Sequence, residues 1–203
     1  MEEIKDTYKT IDKPSEEILY KDRKSKFFGS VYPLSDASEV KPIIESLKKK
    51  HHTAGHVCYA WQLGTNLVTY RANDDGEPNN SAGMPIYGQI QSYKVTNVLV
   101  AVARIFGGTK LGVGGLISAY RTSAQMALEE AKIVEKIVTE KITIQFEYAD
   151  MDKVMRIVKQ HQLTIASQDL QENCKYILSV RKSIANKIQN ILEQAHYIIV
   201  LKK

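Results

Sequence analysis

Five of the nine residues from Gly107 to Gly115 are glycine, and Lys110 stands among them. Glycine permits the positive φ values and close approaches through which backbone N–H groups converge on an anion. The segment follows a hydrophobic run, TNVLVAVARIF, and leads into a helical pattern from about Leu116 to Lys132. The positive end of that helix's dipole would add to such a cradle. The implied chemistry is the binding of phosphate or another anion, with Gly107, Gly108 and Gly114 supplying amides. A Walker A loop is excluded, because Val113 follows Gly112 where a Lys and a Ser or Thr are required. A dinucleotide fingerprint is absent too. The same glycines are equally compatible with a tight turn and close helix–sheet packing, and both readings stay open.

Charge placement favours the first. No carboxylate occurs between Glu77 and Glu129, whereas Lys94, Arg104, Lys110 and Arg121 fall in that gap. Arg104 closes the hydrophobic run and Lys110 sits in the glycine segment, so the two could bracket a phosphate-facing surface. Tyr93, Phe106 and Tyr120 could stack on nucleobases, or else pack in a core. A second cluster, Asp74-Asp75-Gly76-Glu77-Pro78, puts three carboxylates in one turn. They could hold Mg²⁺ or act as acid and base, or they could simply bond the turn's own backbone. No second acidic cluster in this half would complete a metal site. His51, His52, His56 and Cys58 straddle a helix end and a strand start, so a zinc site is not expected. No nucleophile elbow is present, and Cys58 falls mid-strand where burial is the default. No cofactor is expected.

The elements that must position these residues fall into two halves. All 11 glycines lie between Gly29 and Gly115, and all five prolines lie before Gly115, so turn-demanding backbone is confined to the first part. There, Ile18 to Leu34 reads as two strands around DRKSK. Ser35 or Asp36 caps a helix through Leu47, HVCYAWQLG and LVTYRA form a hairpin, and a short helix spans roughly Met84 to Tyr93. The near-continuous apolar run before the glycine segment implies a strand covered on both faces. These elements form helices against a mixed sheet in two layers. After a boundary at Glu135 to Thr139, KITIQFEY, QLTIASQDL, CKYILSVRK and HYIIVLKK read as strands. One helix capped by Asp150 and another from Ile184 to Ala195 separate them, giving the β-α-β-β-α-β order of a ferredoxin-like domain. The fold class is therefore α+β, with domains at 1–136 and 137–203. The 203 residues are 43% hydrophobic and 25% charged, a globular composition. The start, MEEIKDTYKT, has no apolar leader core, and the longest apolar stretch, Val98 to Ala103, is too short to span a bilayer. A cytoplasmic protein is expected. The formal charge of +5 leans towards anionic partners.

SKFFGSVYPL, HVCYAW, NDDGEPNNSAGMPI and TNVLVAVARIFGGTKLGVGGLISAYR, followed by the ferredoxin-like tail, resemble the YigZ/IMPACT family over nearly the whole chain. The resemblance implies that the first domain is similar to the second domain of a small-subunit ribosomal protein and to domain IV of elongation factor G. It implies that the tail is similar to that factor's domain V. It further implies a role in translation control, with RNA or the ribosome as partner and a protein partner also in view. Carried over by position, the site residues are Arg104, Gly107, Gly108, Lys110 and Arg121 on one side. Asp74, Asp75 and Glu77 lie on the other, with His56 nearby. Two departures stand out: Asn79-Asn80 replaces a small Gly-Thr or Gly-Ser pair, and Ile105 replaces a tyrosine after Arg104. The expected function is a non-enzymatic RNA- or ribosome-binding protein. The alternative is an enzyme or small-molecule binder that uses the Asp74–Glu77 turn and the Gly107–Gly115 loop.

Overall fold

The computed structural model describes residues 6–201. The MEEIK start and the final Lys202 and Lys203 of the last expected strand lie outside them. The chain divides into two compact units, one of residues 8–136 and one of residues 137–201 together with residues 6 and 7.

The first unit contains all but the boundary residues Thr7 and Ile137 of β1 (Thr7–Ile11), β2 (Ile18–Asp22), β3 (Ser25–Pro33), α1 (Val40–Lys50), β4 (His56–Leu63), β5 (Thr69–Asn73), α2 (Gly83–Ser92), β6 (Val98–Ile105), α3 (Gly112–Glu130) and β7 (Ile133–Ile137). Five strands pair in the order β2-β3-β6-β4-β5, and every neighbouring pair is antiparallel. The expected mixed sheet is thus corrected. The crossover through α1 leaves β3 and β4 parallel to each other, but β6 inserts between them and runs against both. The expected two layers are corrected as well. Val98, Val100 and Val102 of β6 join Phe27, Cys58 and Ala60 in a core under α2 and α3, whereas Leu99, Ala101 and Ala103 join Ile44 and Leu47 of α1 on the opposite face. The result is three layers. Residues Val98 to Arg104 are all buried, which is what the unbroken apolar run requires. β1 and β7 form a separate two-stranded ribbon for which the sequence pattern gives no signal.

Two turns have specific local causes. Arg23 and Lys24 both take positive φ, 42° and 67°, forming the two-residue turn that suits a twisted hairpin between β2 and β3. α3 begins at Gly112, a turn earlier than the expected Leu116, so the last four of the nine residues of the glycine segment are helix rather than loop.

The second unit contains β8 (Thr139–Glu147), α4 (Met151–Gln160), β9 (Thr164–Asp169), β10 (Asn173–Arg181), α5 (Ala185–Gln194) and β11 (Ile199–Leu201). Its antiparallel sheet has the order β11-β8-β10-β9, the split βαβ arrangement. Ile142, Ile144 and Phe146 alternate inward on β8 and meet Val154 and Val158 of α4 and Ile188 and Leu192 of α5. Asp150 does not cap α4 with its side chain. Its carboxylate instead accepts a bond from the Lys153 ammonium at 2.7 Å. No helix among the described residues is long and apolar enough to cross a membrane.

Asp6, placed by sequence in the first domain, belongs with the second unit. Arg181 donates to its two carboxylate oxygens from Nε and Nη2, and its backbone carbonyl accepts from Val138. The Arg181 guanidinium holds the Asp6 carboxyl well below the usual carboxylate range. A carboxyl depressed in the folded state contributes stability that is present above its unfolded pKa, about 3.9, and is lost as pH falls below that value. Hydrogen exchange of β10 amides should therefore quicken as pH drops below about 4 after correction for intrinsic exchange. Asp6→Asn should flatten that acid dependence. An unchanged acid profile in the variant would remove the pair from any stabilising role.

Candidate functional site

The end of β6 carries the densest chemistry in the first unit. Arg104 is only 6% exposed, as is expected of a side chain on the α3 face of a doubly covered strand. Its Nη1 donates to Glu77 Oε1 at 2.6 Å, and the Tyr120 hydroxyl donates to the same oxygen at 2.8 Å. Glu77 is itself buried. The Cys58 thiol sits 3.3 Å from the Tyr120 hydroxyl oxygen and 3.0 Å from the Asp74 carbonyl oxygen. Burial pushes the Cys58 thiol well above its ordinary range and does the same to the Tyr120 phenol, so both stay neutral hydrogen-bonding groups. The Arg104 guanidinium carbon lies 5.6 Å from the centres of both the Phe27 and Phe106 rings, while its Nε, buried, has no partner.

The acidic turn is a structural knot. Asp74 accepts backbone bonds from Ala82 and Gly83 through Oδ1 and from Asn80 through Oδ2, at 2.8 to 3.0 Å. It thereby caps α2, whose N-cap residue Ala82 has no side-chain acceptor. Asn80 has φ 60°, so the Asn79-Asn80 departure meets a left-handed position that asparagine tolerates. Asp75 accepts from the Val57 N–H at 2.7 Å and from Lys48 at 2.8 Å. Its carbonyl oxygen lies 2.7 Å from His56 Nδ1, which must carry a proton to make that bond. All three carboxylates are thus engaged within the protein, and the described residues contain no His/Cys/Asp/Glu cluster able to hold a metal ion. Of the other histidines read for metal spacing, His51 lies 2.8 Å from Glu17 and stacks on Phe28.

The glycine segment splits in function. Gly107 is a packing glycine: an added Cβ would lie 2.0 Å from the Lys24 carbonyl carbon, and its N–H donates to Ser25 Oγ. Gly108, at φ +86°, and Gly112, at φ +72°, face open space, as does Gly114 in the first turn of α3. No side chain caps that helix start. Around it lies a groove of about 500 Å³, in which Glu77, Arg104, Lys110 and His56 meet Gly112, Phe106 and Val113. The acidic turn and the glycine segment therefore share one groove through Glu77 and Lys110. Asp74, Asp75, Gly107, Gly108, Gly114 and Arg121 do not line it, and Arg121 is exposed farther along α3. Arg104 lines it as a neutralised pair with Glu77 rather than as a free cation. Of the three aromatic side chains read for stacking, Tyr120 is fully buried and Tyr93 is half-buried and bonded to Glu129, whereas Phe106 is 54% exposed at the rim. Ile105 falls on the α1 side of β6 by strand alternation and takes no part in the groove. The sequence reading missed the hairpin tip: Arg23, Lys24 and Lys26 are exposed, and the Lys24 backbone packs on Gly107. The RKSK run was the available signal.

A two-unit α+β protein, with a three-layer antiparallel unit and a split βαβ unit, is the class these observations define. Residues 23–128 match the Impact N-terminal domain. The chain is 31% identical over 163 residues to IMPACT family member YvyE of Bacillus subtilis, covering 80% of this chain and 75% of that one. It is 30% identical over 151 residues to IMPACT family member YigZ of Escherichia coli, covering 73% and 74%. The chain belongs to the IMPACT family. A crystal structure of a hypothetical protein matches with TM-score 0.73 over 98% of both chains at 22% identity, a likeness of fold.

Glu77→Gln should leave the Arg104 charge buried without its counter-ion and destabilise the first unit by about 3–5 kcal/mol. Trp61 fluorescence in a denaturant titration reads that loss. The double change Glu77→Leu with Arg104→Met should recover most of it. Equal instability of the single and double variants would refute the buried-charge account.

Proposed function

We propose that this protein is a non-enzymatic RNA- or ribosome-binding protein of translation control, and that the groove beside α3 contacts single-stranded RNA. The observation that carries the reading is the half-exposed Phe106 ring at the rim of a groove that also holds Lys110 and the uncapped start of α3. A base stacks on the ring, and stacking tolerates any base. Its phosphate faces the α3 amides and the Lys110 ammonium, with Arg23 and Lys24 extending the positive track along the neighbouring hairpin. The family resemblance supplies the setting. On this reading the first unit corresponds to domain IV of elongation factor G and to the second domain of a small-subunit ribosomal protein, and the second unit corresponds to domain V. The site of action is the cytoplasm.

The enzymatic alternative has less to draw on. Asp74, Asp75 and Glu77 each hold an element of the fold, and among the described residues no unengaged carboxylate faces the groove.

Fluorescence anisotropy with a labelled single-stranded RNA tests the proposal. Phe106→Ala should weaken binding by about 1–3 kcal/mol, roughly 5- to 150-fold. Lys110→Ala should reduce the slope of log affinity against log salt by about 0.7. Absence of RNA binding at low salt, or binding indifferent to both variants, would overturn it. A nucleotide-induced thermal shift that depends on Lys110 alone would point to a small anionic ligand instead.

A further inference from the structure

The opposite face of the first unit carries a second concavity that the RNA reading does not use. α1 covers only part of the sheet, and between it and the β4–β5 hairpin lies a hollow of about 290 Å³. Val40 and Ile44 of α1 supply an aliphatic side to it, and Tyr59 and Trp61 of β4 supply an aromatic one. Both aromatic side chains also pack on the α1-side core, so the hollow is anchored to rigid elements. Its charges are unequal. Lys41, Lys48 and Arg71 face one acid, Glu45, which lies 4.0 Å from Lys41 in a well-exposed pair of little strength. Lys48 is paired with Asp75, whereas Arg71 has no ion-pair partner among the described residues. Arg71 stands directly opposite Trp61 in the strand register, on the same face and at the sheet's margin.

That margin is bare. β5 ends the strand order β2-β3-β6-β4-β5, and among the described residues no other strand pairs with its outer edge. Natural sheets commonly protect such edges with charge, proline or a covering element. Here the edge and the loop leading to it show Leu67 at 89% exposure, Val68 at 49% and Tyr70 at 52%. The far end is closed, where Gly83 of α2 packs so tightly on the Asn73 backbone that an added Cβ would lie 2.5 Å from its nitrogen, and on the α2 side the Tyr70 ring stacks on Tyr87 with centroids 4.1 Å apart.

We propose that the outer edge of β5 and the adjoining hollow form a docking site for an extended acidic segment of a protein partner. The segment adds to the sheet as a sixth strand. Its backbone pairs with the N–H and C=O groups that alternate residues of the Thr69–Ala72 stretch direct away from β4, which supplies affinity, and its alternate side chains supply selectivity. An apolar side chain leans over Arg71 into the hollow beside Trp61, and carboxylates two residues to either side, which alternation puts on the same face, meet Arg71 and Lys41. A nucleic acid does not fit as well, because it has no peptide backbone to complete a strand edge, and the α1 side of the hollow is aliphatic.

Trp61 is the chain's single tryptophan, so its emission reports the site in the intact protein. The titrant is a synthetic peptide of about ten residues in which a central Phe has Glu two positions away on each side and Thr between, so that Phe and both Glu share one face, long enough for an ordinary strand. A saturable change in Trp61 emission is expected, together with amide shifts confined to Thr69–Ala72 and the hollow. The same peptide with Lys for Glu should bind at least about tenfold more weakly, and Arg71→Glu should weaken the acidic peptide by a similar factor. N-methylation of alternate peptide nitrogens along one edge should abolish binding without altering the protein. Equal binding of the lysine or N-methylated peptide, an equal Trp61 response to single-stranded RNA, or no response to any peptide would each overturn the proposal. Phe106→Ala should leave peptide binding unchanged, so failure here and failure of the RNA reading are distinguishable.

Discussion

Burying a guanidinium costs several kcal/mol unless a carboxylate meets it with good geometry. Arg104 lies at the end of a strand covered on both faces, and Glu77 meets it at 2.6 Å. Glu77 comes from a turn, and a turn cannot hold a carboxylate in place unless its own backbone is fixed. The neighbouring acids do that. Asp74 is bound by three amides at the start of α2, and Asp75 is bound by the Val57 amide at the start of β4. Tyr120 then brings α3 to the same Glu77 oxygen. One buried pair thus ties together β4, β6, α2 and α3, and three adjacent carboxylates each secure a different contact.

This arrangement determines what the groove can offer a ligand. Arg104 gives it little net charge, because Glu77 compensates the guanidinium, but it gives a base for Phe106, whose ring lies 5.6 Å from the guanidinium carbon. A cation behind an aromatic ring stabilises that ring's position. The groove is therefore an apolar platform with positive character at its rim, from Lys110 and the α3 amides. Affinity for an anionic polymer would come from stacking plus a few phosphate contacts, and not from an open cluster of arginines.

Much of the fold was legible in the sequence because each element has its own period. The alternation of Ile142, Ile144 and Phe146 marks a half-buried strand, and the unbroken Val98–Ala103 run marks a doubly covered one. What local pattern did not show was how distant elements of the first unit meet. Whether neighbouring strands run parallel depends on β6 inserting between β3 and β4, a pairing with no local signature. The third layer depends on which face α1 takes. Asp6 goes with the second unit because of an arginine 175 residues away. The site was legible in the same measure. Residue types pointed to the glycine segment and the acidic turn, and the two do share a groove. Charge in a sequence is nonetheless not free charge in a fold: Arg104 read as a phosphate contact, yet a glutamate 27 positions earlier already neutralises it. Gly107 likewise read as an amide donor, although its lack of a side chain is what lets the Lys24 backbone approach.

The two proposed surfaces lie on opposite faces of one sheet. The groove opens on the α3 side, the side of Arg104. The hollow lies on the α1 side, with Trp61 and Arg71, and the two share no lining residue. A rigid sheet between them, with β6 buried throughout, leaves no steric reason for one ligand to exclude the other. The polar contacts that link the two sides run through Asp75, which touches Lys48 beside the hollow and His56 beside the groove. Those are a solvent-facing ion pair and one backbone acceptor, a weak route for energy. With both proposed ligands, each surface would keep nearly its own intrinsic affinity, an arrangement for joint binding more than for switching.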